Sequence, residues 1–240
     1  MATYVSLANE VLRRLNEVQI DAAGDGFDTV RNVQALAKDA INSSIRRILQ
    51  DGQEWPFIKT TSVQTLTAGV TTYSFPSDYS STDWDTFYIK QLAAKGNTPA
   101  VLKPMPYEEY TQSHRSSDDI APATGLGAPT SVFQTYDNTF GVTPVPDAGY
   151  EVEFIYWTVP NSLTLFNDVS IIPDRFSHVV IDGAMMYMMQ FRSNAQSAQM
   201  HQASFEDGIK AMRNVLMDDT FTMRSTYRVT NGRHTSIGIS

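Results

Sequence analysis

Residues Phe133 to Pro160 read FQTYDNTFGVTPVPDAGYEVEFIYWTVP, and their pattern decides the fold class. Two runs of alternating apolar and polar residues flank Pro144-Val145-Pro146-Asp147-Ala148-Gly149. Proline fixes φ and removes a ladder donor, while Asp and Gly supply turn geometry. The stretch therefore reads as a strand, a tight connection and a second strand. In the second run Val152, Phe154 and Tyr156 share one face, and Glu151, Glu153 and Ile155 share the other. The carboxylates belong to the wet face of a sheet. Nothing here has the make-up of a catalytic site; the segment is built to present a surface.

The same strand-favouring character extends from Gln53 to Ile171, rich in Thr, Tyr, Val and Phe with Pro and Gly punctuation. Strands are expected at Phe57–Leu66, Thr71–Phe75, Thr86–Leu92, Ala100–Pro104, Ser131–Tyr136, Thr139–Thr143 and Glu151–Thr158. A short helix is expected at Tyr107–His114. The polar run Arg115–Pro129 reads as an exposed loop.

Helices flank this β region. Leu7, Val11, Leu12, Leu15 and Val18 recur at spacings of three and four, which predicts an amphipathic helix over Ser6–Val18 with Ser6 as N-cap. A second helix is predicted over Asp28–Gln50, with Asp51-Gly52 as its stop. Helix returns at Pro173, where Pro and then Asp174 suit a first turn. Two more helices follow, about Pro173–Phe191 and Gln196–Met217. All four carry apolar stripes, and a two-helix hairpin cannot bury its stripe alone. The sequence thus predicts an α+β protein: a four-helix bundle of N- and C-terminal helix pairs, with an inserted antiparallel β domain and an extended C-terminal arm. The divisions fall at 1–52, 53–171, 172–219 and 220–240.

Composition narrows the function. Among 240 residues, 42% are hydrophobic and 18% charged, as in an ordinary folded protein. A net charge of −8 argues against a protein that binds nucleic acid by neutralising phosphates. It is compatible with a conduit along which DNA passes without sticking. With no cysteine, there is no disulfide scaffold, thiol nucleophile or thiolate metal site. The first residues lack a signal-peptide pattern and no run approaches a membrane span, so a soluble protein made in a cytoplasm is expected.

Each chemical constellation fails on spacing or ligand type. Asp174, His178 and Asp182 lie four apart on one helix face, but without the HExxH arrangement they read as structural ion pairs. Glu108-Glu109 and Asp118-Asp119 are sequence neighbours that point apart and read as solvated. Asp21 to Asp28 lacks the alternating acids and closing glutamate of an EF-hand. Gly125-Leu126-Gly127 has no third glycine and no helix after it, so it is no phosphate cradle. Met185, Met186, Met188 and Met189 lie in a helix apolar nearly all round, read as core packing with contact to a neighbouring subunit as the sharper alternative. No catalytic residue, cofactor or metal is expected.

The C-terminal arm is the strongest partner signal. Arg224, Arg228 and Arg233 with Phe221, Tyr227, Ile237 and Ile239 give cationic and apolar anchors and no helical period. Such a segment orders on docking to an acidic or grooved partner.

In order and character the chain resembles bacteriophage head-to-tail adaptor proteins of the tail tubular protein A type, from short-tailed phages. The resemblance rests on Gln53-Glu54-Trp55-Pro56-Phe57 after a helical pair, then Phe75-Pro76-Ser77-Asp78-Tyr79 within the β region. It continues through Phe140 to Asp147 with Tyr150 and Tyr156, and through Ile171 to Phe176 before the last helix pair. It implies a structural virion protein in a ring, usually of twelve copies, between the capsid portal and the tail nozzle. The helices would form the ring wall, the arm would reach the portal or a neighbouring subunit, and the β region would face the nozzle or tail-fibre parts. DNA would be passing cargo only, in the virion neck, with no membrane. The alternative is a tail-associated glycan or peptidoglycan hydrolase using Glu108, Asp118 or Asp137; a third reading is a small-ligand module.

Overall fold

A computed structural model describes residues 2–21, 27, 30–51, 54–90, 100–120 and 125–216. In chain order the elements begin with α1 (Tyr4–Arg14), α2 (Val33–Leu49), β1 (Lys59–Thr65), β2 (Thr72–Ser74), β3 (Tyr79–Thr82) and β4 (Tyr88–Ile89). Next come β5 (Ala100–Val101), β6 (Lys103–Met105), α3 (Tyr107–Ser113), α4 (Arg115–Ile120) and β7 (Ser131–Gln134). The chain continues through β8 (Thr139–Thr143), β9 (Glu151–Thr158), α5 (Ser177–Phe191) and α6 (Ala195–Leu216). The fold is α+β. Two compact units result: residues up to 57 with those from 161 onward, and residues 58–160. The predicted arm residues Phe221, Arg224, Tyr227, Arg228, Arg233, Ile237 and Ile239 lie outside the described residues, as does most of Asp21–Asp28.

In the helical unit, α1 buries Leu7, Ala8, Val11 and Leu12, the stripe its periodicity dictates. Its N-cap is Thr3, not Ser6: the Ser6 N–H donates to Thr3 Oγ1 at 3.3 Å, and the Ser6 hydroxyl donates back to the Thr3 carbonyl at 2.7 Å. The helix also stops one turn before the expected Val18. Asn16 turns left-handed at φ 56°, so the Glu17 N–H reaches the Leu12 carbonyl and the Asn16 N–H the Arg13 carbonyl. That pattern satisfies orphan carbonyls and ends the helix. Helix α2 buries Ala37, Ala40, Ile41, Ile45 and Ile48. Helix α5 packs against α1, α2 and α6, which accounts for its being apolar nearly all round. It begins at Ser177, because Asp174–Phe176 form a 3-10 turn in place of the expected first α-turn. Residues 161–171 belong with the helices: the Tyr4 N–H donates to the Asp168 carbonyl at 2.8 Å and the Ser170 N–H to the Ala2 carbonyl at 3.1 Å.

The β unit holds two sheets. In one, β9 is central: it pairs antiparallel with β1 on one side, and with β3 and then β4 on the other, and β5 extends β4. The second runs β2-β8-β7-β6. Its β6–β7 pair is parallel, so the expected antiparallel domain is mixed at this edge. The two strands that flank Pro144–Gly149 do not pair with each other. β8 belongs to one sheet and β9 to the other, and the proline-rich connection carries the chain between them. Both sheets feed one core, with Phe140 and Val142 from β8, Val152 and Phe154 from β9, and Phe87 and Leu102 beside them. Stacking of Phe87 on Phe154 at 4.7 Å and the edge contact of Phe140 with Phe154 at 5.5 Å fix its centre. Strand β3 and helix α4 occur where no element, or a loop, was expected. Both are too short to carry a readable period.

Candidate functional site

Acid–base catalysis by Glu108, Asp118 or Asp137 would need carboxylates gathered in one cleft. Glu108 and Glu109 lie exposed on the first turn of α3, where carboxylates suit the positive helix end. Asp137 is exposed in the turn joining β7 to β8. Asp118 departs from its expected solvated place: α4 holds it 8% exposed, and its Oδ2 has no hydrogen-bond partner among the described residues. Its neighbour Asp119 is exposed and faces Arg115 at 3.8 Å. Glu108, Asp118 and Asp137 are thus two surface acids and one buried one, and none of them lines the groove beside Trp84 and Tyr136 or the one among α2, α5 and α6.

The triad spaced four apart resolves into separate contacts. Asp174 lies in the 3-10 turn, and the His178 ring nitrogen Nδ1 is 3.1 Å from the Arg175 carbonyl oxygen. Asp182 meets Arg14 of α1 at 3.2 Å and His201 of α6 at 3.7 Å, tying three helices. Among the described residues no group of three His, Asp or Glu side chains is placed to hold a metal ion. Gly127 forms a parallel bridge with Pro146, its N–H donating to the Val145 carbonyl at 2.9 Å.

An open groove of about 710 Å³ lies in the β unit, walled by Trp84, Pro104, Met105, Pro106, Tyr107 and Tyr136. Its rings are set from beneath. Trp84 stacks on the fully buried Phe87 at 5.4 Å. Tyr107 meets Tyr136 edge-on at 5.1 Å, and Tyr110 stacks on Phe133 at 3.8 Å one layer below. Tyr136 is 82% exposed, so a flat ring faces solvent. Gln134 and Thr135 add an amide and a hydroxyl to a wall that is otherwise rings, prolines and Met105, so the groove offers mainly apolar contact area.

Tyrosine hydroxyls near acids stay protonated. Burial, and then the negative charges of Asp118 and Asp119, push the Tyr110 hydroxyl up to about 12. The Tyr150 hydroxyl donates to Asp147 at 2.5 Å, which, with burial, also raises it to about 12. Neither can serve as a base near neutrality.

A second groove of about 420 Å³ lies among α2, α5 and α6, with Arg47, Asp51, Tyr187, Glu206 and Arg213 on its walls. Arg213 pairs with Asp51 across it. Sequence reading singled out neither groove. The available signals were Trp84 set between two aspartates and Tyr136 before Asp137-Asn138, large rings at turn positions where burial is not expected.

No helix among the described residues is long and apolar enough to cross a membrane. No curated protein matches the chain. The model of the SU10 adaptor protein family matches residues 2–230, a span that takes in both units. With that match across nearly its whole length, the chain belongs to the SU10 adaptor protein family, consistent with the phage head-to-tail adaptors its sequence resembles.

Proposed function

We propose that this phage structural adaptor assembles as a ring, of twelve copies, between the capsid portal and the tail nozzle. The observation that carries the reading is the family match over residues 2–230. Helices α1, α2, α5 and α6 act as a four-helix bundle that forms the ring wall; their mutual packing around α5 supports this. The β unit turns its surface toward the nozzle and the tail-fibre parts. The arm, through Phe221, Arg224, Tyr227, Arg228, Arg233, Ile237 and Ile239, docks on the portal or on the adjacent copy. A net charge of −8 suits a channel that lets DNA slide through during ejection, since like charge disfavours sticking. The protein has no catalytic step of its own.

The test is light scattering and negative-stain imaging of purified protein, alone and with portal. A closed ring, free or portal-bound, is the expected outcome. A compact monomer that ignores portal and degrades peptidoglycan, with activity lost in Glu108→Gln or Asp118→Asn, overturns it in favour of the hydrolase.

A further inference from the structure

Strand β1 ends its sheet. It pairs with β9 along all seven of its residues, Lys59 opposite Trp157 through Thr65 opposite Glu151, and has no second neighbouring strand among the described residues. An open edge of this length is a template for another strand, and proteins blunt such edges with proline, charge, bulges or brevity. β1 has no proline, keeps an unbroken register with β9, and carries its single charge at Lys59, the first residue. Its side chains are exposed or half-buried throughout, Val63 by 50%.

The two faces at this edge differ. Thr60, Ser62 and Gln64 stand opposite Tyr156, Phe154 and Val152, the core-facing residues of β9. Thr61, Val63 and Thr65 stand opposite Ile155, Glu153 and Glu151, so the other face carries two carboxylates, of which Glu153 is paired with Lys90 at 2.5 Å.

A complementary strand is written in the chain beyond α6. Residues 221–230 read FTMRSTYRVT. Phe221, Met223, Tyr227 and Val229 fall on odd positions, and Thr222, Arg224, Thr226, Arg228 and Thr230 on even ones. Ser225 is the one polar residue on the odd side. A period of two over ten residues with that single interruption, and without Pro, Gly or any acid, is the signature of a strand with one mainly apolar and one cationic face.

We propose that residues 221–230 of a second copy add to the free edge of β1 as a further strand. The odd residues lie on the core-facing side beside Thr60, Ser62 and Gln64. Arg224 and Arg228 lie on the other, on the side where Glu151 and the Lys90–Glu153 pair stand one strand further in. Main-chain hydrogen bonds supply the attachment and the alternating side chains set which face is which. A copy that receives on β1 and donates from its own C-terminus makes a head-to-tail contact, the kind that closes into rings. The inference deepens the adaptor reading, on which it rests for the presence of neighbouring copies.

The chain has no cysteine, so single thiols report the pairing cleanly. Full-length Val63→Cys is mixed, under oxidising conditions, with full-length Arg224→Cys, Thr226→Cys or Arg228→Cys. Ser62→Cys is mixed with Met223→Cys, Ser225→Cys or Tyr227→Cys. Residues opposite each other across a strand pair share a face and lie within disulfide reach, whereas neighbours of opposite parity do not. Val63→Cys should therefore form disulfide heterodimers with the even series and Ser62→Cys with the odd series, each several-fold more than in the crossed mixtures. Heterodimers that ignore parity, or none while imaging still shows rings, overturn strand addition and leave the ring reading standing. Absence of both heterodimers and rings, with portal present, removes both.

Discussion

Ser44 of α2 packs directly against Gly183 of α5. The Ser44 hydroxyl donates to the Val180 carbonyl at 2.9 Å, and a β-carbon placed on Gly183 would lie 2.2 Å from the Ser44 Oγ. It would also lie 2.7 Å from the buried Phe205 ring of α6, so the position is glycine because two helices close on it at once. Elsewhere in a helix, alanine is favoured over glycine by about 1 kcal/mol. Here crowding should outweigh that, and Gly183→Ala should lower stability by about 1–3 kcal/mol, the usual range for overpacking. Urea unfolding measures it. Ser44→Ala combined with Gly183→Ala should cost less than the sum of the single changes, because the two share a contact.

Asn42 joins three segments of the helical unit. Its Nδ2 donates to the Tyr4 hydroxyl oxygen and to the Leu163 carbonyl, each at 3.0 Å, and its Oδ1 accepts from the Leu163 N–H at 3.0 Å. Asn42→Ala removes all three bonds. At roughly 0.5–1.5 kcal/mol each, the expected loss is about 2–4 kcal/mol, read as a lower midpoint in urea. Hydrogen exchange should rise first at the Leu163 amide. An unchanged midpoint rules this account out.

In the β unit, Gly141 lets β8 pass beneath an aromatic stack. A β-carbon there would sit 2.2 Å from Phe133 Cζ, and Phe133 is held from its other side by Tyr110. Gly141→Ala should destabilise by about 1–3 kcal/mol. Adding Phe133→Leu, which shortens the obstructing ring, should recover part of that loss. No recovery would mean that backbone strain, not the ring, sets the cost.

Alkaline pH should weaken the fold. Tyr110 and Tyr150 each have hydroxyls raised to about 12, against about 10 for an unfolded tyrosine. A raised folded value means the contribution is fully present below pH ~10 and is lost as pH rises toward 12, since the unfolded chain then loses its protons first. Stability should be level on this account from neutrality to about pH 10 and fall beyond it. Tyr150→Phe should make the fall shallower. Urea midpoints at intervals from pH 8 to pH 11.5 test it, and an identical slope in the variant would falsify the assignment.

Ending the chain at Asp219 should leave the thermal transition where it is and block attachment of the protein to portal-bearing heads. Ordering twenty residues costs about 1–2 kcal/mol each in backbone entropy, so an arm that docks must bury most of its length. Exposed ion pairs give only about 0–1 kcal/mol apiece. Phe221, Tyr227, Ile237 and Ile239 should therefore matter more for affinity than the arginines. Truncated protein that still completes the joint shows the arm to be dispensable.

Local pattern determined the element types. The spacing of Leu7, Val11 and Leu12 could only be a helix face, and the alternation of Val152, Phe154 and Tyr156 could only be a strand with one side in a core. Those periods come from backbone geometry, which acts over a few residues and is visible in any window that long. Tertiary structure alone decided partners. Pro144–Gly149 was legible as a connection, but whether β8 and β9 pair across it or part into two sheets depends on β1, β3 and β7, which bring the rest of the hydrogen bonds. The parallel β6–β7 pair, the burial of Asp118 on a six-residue helix, and the close approach at Gly183 are of the same kind. So is the aromatic groove, whose Trp84, Tyr107 and Tyr136 come from three separate stretches of the chain. Each is set by residues distant in sequence, and no local window contains the atoms that make the contact.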